Sequence, residues 1–261
     1  MLIEIWSDVV CPWCYIGKRR LEKALSSWAS AGSTSVGGST TGREVDIVYR
    51  SFQLDPSAPT EPTQTVAEHL GAKYGGGLEA GKQMVERTEA VAAEEGLPFR
   101  LAEAQRANTA DAHRLLHLAL AESPEAQARL KEELLAAYFL RAENIADHDV
   151  LLAAATEVGI DEVAAKDVLA GDAYADAVEH DIREAASLGA TGVPFFVVDR
   201  KYGVSGAQPV EVFTQVLDRA WQEAQPVLDV VAGDDACGPD GCGLEDQPSG
   251  HADLLEEGLV V

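Results

Sequence analysis

The chain has 261 residues, enough for one large domain or two small ones, and its 46% apolar and 25% charged content is that of a folded protein. Its formal charge of -24, from 44 acidic against 20 basic residues, argues against nucleic acid and anionic membrane surfaces as partners. No uninterrupted apolar stretch is long enough for a bilayer, and the opening MLIEIWSDVV lacks the basic start of a cleavable signal. A cytoplasmic location is therefore expected, where cysteines serve redox or metal chemistry more often than structure.

In chain order, LIEIW alternates and is rich in β-branched and aromatic residues, as a strand does. Cys11-Pro12-Trp13-Cys14 follows at a strand end, and Pro12 suits the first turn of a helix whose apolar face carries Leu21, Ala24, Leu25 and Trp28. The Ser/Thr/Gly-rich stretch from Ser30 to Gly42 reads as a flexible connection, and EVDIVYRSFQL reads as a second strand. From Thr65 to Leu188 the period is helical, with Thr65 and Glu68 spaced as a capping box and Gly96 and Gly159 placed as helix stops. VPFFVVD then suits a buried strand, YGVSG a short partner strand, and PVEVFTQVLDRAWQ a closing amphipathic helix. Beyond Trp221 runs an acidic tail without Lys or Arg that nevertheless contains Cys237 and Cys242.

The chemistry centres on the C-x-x-C. A cysteine in the first turn of a helix faces unsatisfied N–H groups and the positive end of the helix dipole, and both favour the thiolate, the attacking species. Cys11 is thus the expected nucleophile, and Cys14, one turn on, can resolve a mixed disulfide. Pro12 and Trp13 shape the loop between them. A four-thiolate zinc site from Cys11, Cys14, Cys237 and Cys242 is the competing reading, but the strand-to-helix setting suits redox chemistry better, and no resident metal is expected. His113 and His117, four apart on one helix, lack a third ligand of convincing spacing.

The strand-to-helix SDVVCPWC, the NTADAHRLL helix, GATGVPFF and GVSGAQP occur in that order over residues 2 to about 225. In this the chain resembles the DsbA-like branch of the thioredoxin superfamily, and within it the cytoplasmic FrnE-like proteins. The resemblance implies an α/β thioredoxin-like fold with an inserted helical domain. The thioredoxin-like part would be residues 1–56 plus 190–225, the insert 57–189, and the acidic tail 226–261.

The same resemblance carries Cys11 as nucleophile, Cys14 as resolving thiol and Pro194 as a cis-proline facing them. It offers the Val193 backbone to an extended substrate and puts Asn108 and His113 at the cleft between the two parts, where a capping Asn and a structural His are the alternatives. It also implies an auxiliary redox pair, Cys237 and Cys242, for which a passive disulfide or two free thiols is the alternative. The implied activity is thiol–disulfide exchange on proteins carrying disulfides or dithiols, with disulfide isomerase activity as its extension. No prosthetic cofactor is needed, and glutathione or another low-molecular-weight thiol can serve as co-substrate. Two other readings remain at this level: a glutathione-dependent isomerase or transferase of a small aromatic or polyketide-like compound, and a holding chaperone without electron transfer. Related glutathione-dependent enzymes typically carry serine where this chain has Cys11, which favours dithiol exchange.

Overall fold

The computed structural model describes residues 1–31, 34–36, 39–41 and 43–224. Strand β1 (Leu2–Ser7) is followed by helix α1 (Pro12–Ala31), short strands β2 (Thr34–Val36) and β3 (Ser39–Thr41), and strand β4 (Asp46–Ser51). Seven helices come next: α2 (Val66–Tyr74), α3 (Gly77–Glu94), α4 (Ala110–Glu122), α5 (Pro124–Leu140), α6 (His148–Glu157), α7 (Glu162–Ala170) and α8 (Ala175–Ser187). Strands β5 (Phe195–Val198) and β6 (Tyr202–Ser205) and helix α9 (Val210–Ala224) complete the described fold. The auxiliary cysteines Cys237 and Cys242, and with them the tail from 226 to 261, lie outside the described residues.

The main sheet has the order β4-β1-β5-β6. β1 runs parallel to β4, with Ile3 opposite Ile47, and antiparallel to β5, with Ile5 opposite Phe196. A parallel neighbour needs a crossover, and α1 supplies it. The Ser/Thr/Gly-rich connection between α1 and β4 differs from expectation in containing an antiparallel hairpin, β2 with β3, Ser35 opposite Thr40.

Alternation in LIEIW predicts one wet face, yet all of β1 after Leu2 is buried. The reason is its central place, with strands on both sides and side chains packed on both faces. Glu4 is therefore buried as a charge, accepting from Arg50 (2.9 and 2.7 Å) and also paired with Arg200. On the outer edge of β4, the fully buried side-chain amide of Gln127 in α5 donates to Tyr49 O and accepts from Tyr49 N, both at 2.8 Å, so the edge is covered.

Two apolar clusters share helix α1. Leu21, Ala24 and Trp28 join the sheet and α9, packing with Ile3, Phe196 and Phe213. Tyr15 and Ile16, one to two turns earlier, join the helical cluster of Leu115, Leu130, Leu134 and Phe139. The first turn of α1 is thereby held where the helical cluster meets the sheet. Local sequence signals hold as well: Thr65 and Glu68 form the capping box of α2, and Gly96 and Gly159 follow α3 and α6 with positive φ of 79° and 90°.

Candidate active site

Helix α1 begins at Pro12, which needs no hydrogen bond from its nitrogen, so Cys11 stands at the threshold of the helix and Cys14 one turn inside it. The turn closes through Cys14 N–H to Cys11 O at 3.0 Å. Among the described residues neither cysteine is bridged, and both are nearly buried, at 2% and 3% exposure, whereas Trp13 between them is 43% exposed. Cys11 lines an open cleft together with Pro12, Trp13 and Val193, and the buried Cys14 is not part of that lining. Cys11 Sγ donates to Val193 O at 3.6 Å, which brings together two residues 182 positions apart. The Val193–Pro194 peptide bond is cis. Gly17, one turn after Cys14, is what lets α1 pack there: a Cβ on it would lie 3.1 Å from Pro194 Cγ and 3.2 Å from Phe196 Cζ.

The chain as a whole is similar to known proteins. A family model described as a DSBA-like thioredoxin domain matches residues 2–218. The chain belongs to that family. A solved structure from Streptomyces coelicolor, described as a "probable DsbA oxidoreductase", is 43% identical and superposes with a TM-score of 0.77, covering 94% of this chain and 99% of the other. The Bacillus subtilis protein YwbO is 25% identical over 224 residues, 82% of this chain and 94% of its own. The cytosolic disulfide reductase DsbM of Pseudomonas aeruginosa, solved with GSH, shares the fold at 19% identity and a TM-score of 0.56, covering 85% of this chain and all of DsbM.

Behind the cysteines of this DSBA-like domain lies a buried polar group that the sequence did not announce. Asp8, fully buried, accepts from Val9 N–H (2.8 Å), Leu54 N–H (2.8 Å) and His113 Nε2 (3.1 Å). Burial alone would raise its carboxyl, but the hydrogen bond and charge of His113, the Leu54 N–H and the Lys131 ammonium outweigh it and hold Asp8 below the usual range. Burial also keeps His113 below its ordinary value, so at neutral pH a neutral imidazole donates to an ionised Asp8.

Lys131, on α5, is 1% exposed, and among the described residues its Nζ has no hydrogen-bond partner. It lies 5.8 Å from the centre of the Tyr49 ring. Burial lowers its pKa to about 8, against the opposing pull of Cys14, Asp8 and Cys11. Cys14 responds to the same surroundings: burial first, then the hydrogen bond and charge of Cys11, push its thiol well above the ordinary range, with Lys131 pulling it back down.

The remaining sequence candidates fall into place around this group. His113 sits behind the cleft on Asp8 rather than on the cleft wall. Asn108 Nδ2 donates to Ala58 O (3.0 Å) and Pro56 O (3.3 Å), and its Oδ1 accepts from Ala110 N–H (2.9 Å). It thereby ties the loop that forms one cleft wall to the start of α4. The side-chain amide of Asn108 and the Nε2 of His113 are thus engaged by the protein itself. His117, one turn past His113, meets Ser51 Oγ and Asp181 Oδ2, each at 3.1 Å, so the two histidines serve different carboxylates. Among the described residues no group of three or more His, Cys, Asp or Glu side chains is arranged to hold a metal.

Asp8, Gly17 and Lys131 were missed by sequence reasoning. A weak signal existed for the first, an acidic residue between a buried strand and the C-x-x-C. Lys131 offered none beyond a lysine on the same helical face as Gln127 and Leu135.

Proposed function

We propose that the protein is a thiol–disulfide oxidoreductase working through Cys11 and Cys14. The observation that carries this reading is their asymmetry: Cys11 reaches the cleft with its sulfur 3.6 Å from Val193 O, while Cys14 is enclosed behind it. In the first step Cys11 thiolate attacks one sulfur of a substrate disulfide, and the other sulfur leaves as a thiolate that takes a proton from solvent. Capture of Cys11 in the mixed disulfide removes the charge that had opposed ionisation of Cys14. Cys14 then gives its proton to solvent, the Lys131 ammonium stabilises the thiolate, and this attacks Cys11 Sγ and expels the second substrate sulfur as a thiolate that takes up a proton. Two protein thiols become one disulfide and one substrate disulfide becomes two thiols. The reverse path oxidises dithiols.

The substrates on this reading are disulfide- or dithiol-bearing proteins and small disulfides, with a low-molecular-weight thiol such as glutathione to restore the reduced pair, and with isomerisation when Cys11 releases its partner to another protein thiol. Cys237 and Cys242 would be an auxiliary pair exchanging electrons with Cys11 and Cys14. The domain division at 57–189 follows the run of helices between β4 and β5, and a cytoplasmic setting fits the description of DsbM as cytosolic.

The test is reduction of insulin and refolding of a scrambled disulfide protein by the wild type and by Cys11→Ser. Both activities in the wild type and neither above background in the variant are expected. A folded wild type inactive in both assays would overturn the proposal. So would glutathione-dependent turnover of a small aromatic substrate surviving Cys14→Ala, which would make the protein an isomerase or transferase.

A further inference from the structure

The cleft beside Cys11 carries features that disulfide exchange by itself does not call for. Its volume is about 380 Å³, at the lower end of sites for small organic molecules (roughly 300–1,000 Å³). Part of its wall is apolar, with Val10, Leu54, Leu70, Met84 and Leu101. The rest carries three basic side chains, His69, Lys73 and Arg106, against one carboxylate, Asp55.

That carboxylate is already engaged, accepting from Arg106 Nε at 2.7 Å. Lys73 has no carboxylate partner among the described residues and lies 5.6 Å from the centre of the Tyr74 ring. An uncompensated cation on this wall opposes the average field of a chain with formal charge -24.

The wall that bears Lys73 is preformed. In the α2–α3 hairpin a Cβ on Gly81 would lie 1.8 Å from Ala67 O, and one on Gly71 would lie 2.0 Å from Gly77 O, so the two helices touch through backbone. At its base the hairpin is pinned by Val66 N–H to Ala104 O (3.1 Å) and Arg106 N–H to Gln64 O (3.0 Å). A fixed wall with one free cation beside an apolar surface binds without a large ordering cost.

We propose that this cleft selects small disulfides whose sulfur is carried on a compact apolar or aromatic body bearing a carboxylate, the body lying on the apolar wall and the carboxylate meeting Lys73. The inference rests on the exchange reading above and names a substrate class for it. The reaction balances as before: R–S–S–R′ and the two thiols of Cys11 and Cys14 give R–SH, R′–SH and a Cys11–Cys14 disulfide. Walls drawn from α2, α3, the 54–58 and 101–107 loops, Tyr138 and Val193 suit a compact body better than an extended chain.

The test uses the reduced full-length protein in single-turnover reactions with three probes. These are 5,5′-dithiobis(2-nitrobenzoate), an aromatic disulfide with carboxylates, 4,4′-dithiodipyridine, an uncharged aromatic one, and insulin. The readout is the ratio of second-order rate constants for the anionic and uncharged small disulfides. Lys73→Glu is compared with Lys166→Glu, an equal change of net charge on the surface of α7, where Lys166 pairs with Glu162. The expected result is a fall of about tenfold in the ratio for Lys73→Glu, an effect of about 1.4 kcal/mol, shrinking with added salt, and no fall for Lys166→Glu. An unchanged ratio in Lys73→Glu, or an equal fall in both variants, overturns the inference. Wild-type reduction of insulin but of neither small disulfide overturns the inference alone and leaves exchange standing. Failure with all three probes overturns the exchange reading itself.

Discussion

Cys11 and Cys14 stand on one helical turn and meet opposite surroundings. On the Cys11 side lie a cleft, the exposed Trp13 and the Val193 carbonyl. On the Cys14 side lie buried charges, Asp8 bonded to His113 and Lys131, whose Nζ has no hydrogen-bond partner among the described residues. On the proposed exchange reading, one turn of helix divides the reaction: the outer sulfur meets substrate, and the inner one, its thiol raised by burial, stays protonated until the outer sulfur has been captured. The same physical act, burial, raises the thiol and lowers the amine, so the two groups are tuned towards each other.

The largest way to break this contrast is to remove its inner anchor. Asp8→Ala strands the Val9 and Leu54 N–H groups and the His113 imidazole, at about 1–3 kcal/mol for each buried group left unpaired. A loss of at least about 3 kcal/mol of unfolding free energy is expected in denaturant titration, with Asp8→Asn losing less. Similar stability of Asp8→Ala and wild type would mean that Asp8 does not hold the site.

Lys131→Met acts in the opposite sense. The folded Lys131 pKa of about 8 lies below the unfolded 10.5, so the unfolded chain binds the proton more tightly. The destabilisation is fully present below pH 8 and is relieved as pH rises from 8 towards 10.5. Lys131→Met should therefore be more stable than wild type by about 1–3 kcal/mol at pH 7, with the advantage fading across that window. Its release of the second product thiol should be slower, because Cys14 has lost the nearby cation. A variant that is less stable at pH 7, or that resolves at the wild-type rate, would contradict the role given to Lys131.

Gly17→Ala is the mildest probe. The helix gains up to about 1 kcal/mol from the substitution, while the methyl crowds Pro194 and Phe196 at 3.1 and 3.2 Å. Stability within about 1 kcal/mol of wild type and exchange slowed by a few-fold are expected, since displacement by a few tenths of an ångström costs less than the ~100-fold of a full ångström. An unchanged exchange rate would show that the spacing between α1 and Pro194 does not control Cys11.

What could be read from the sequence was local. The strand before Cys11, the Pro12 start of α1, the Thr65–Glu68 capping box, the buried FFVV run and the amphipathic α9 each depend on residues within a few positions of one another. What could not be read depends on residues far apart. Lys131 reaches the C-x-x-C only because α5 packs on β4 and α1, and Glu4 is buried only because Arg50 and Arg200 flank a central strand. The site followed the same division: Cys11 and Cys14 were legible as a motif, whereas the group behind them is assembled from Asp8, just past the end of β1, and from α4 and α5. Asn108 and His113 were noticed through resemblance, and only the structure gives their hydrogen-bond partners, Ala58 O and Asp8.

The central claim, that Cys11 attacks and Cys14 resolves, is tested most directly by trapping. Cys14→Ser and Cys11→Ser, each reduced, would be mixed with a disulfide substrate, quenched in acid and weighed intact by mass spectrometry, with peptide mapping of the modified cysteine. The account predicts a stable mixed disulfide on Cys11 in Cys14→Ser and none on Cys14 in Cys11→Ser. Rapid adduct formation on Cys14, or no adduct on Cys11 in a folded Cys14→Ser protein, would contradict it.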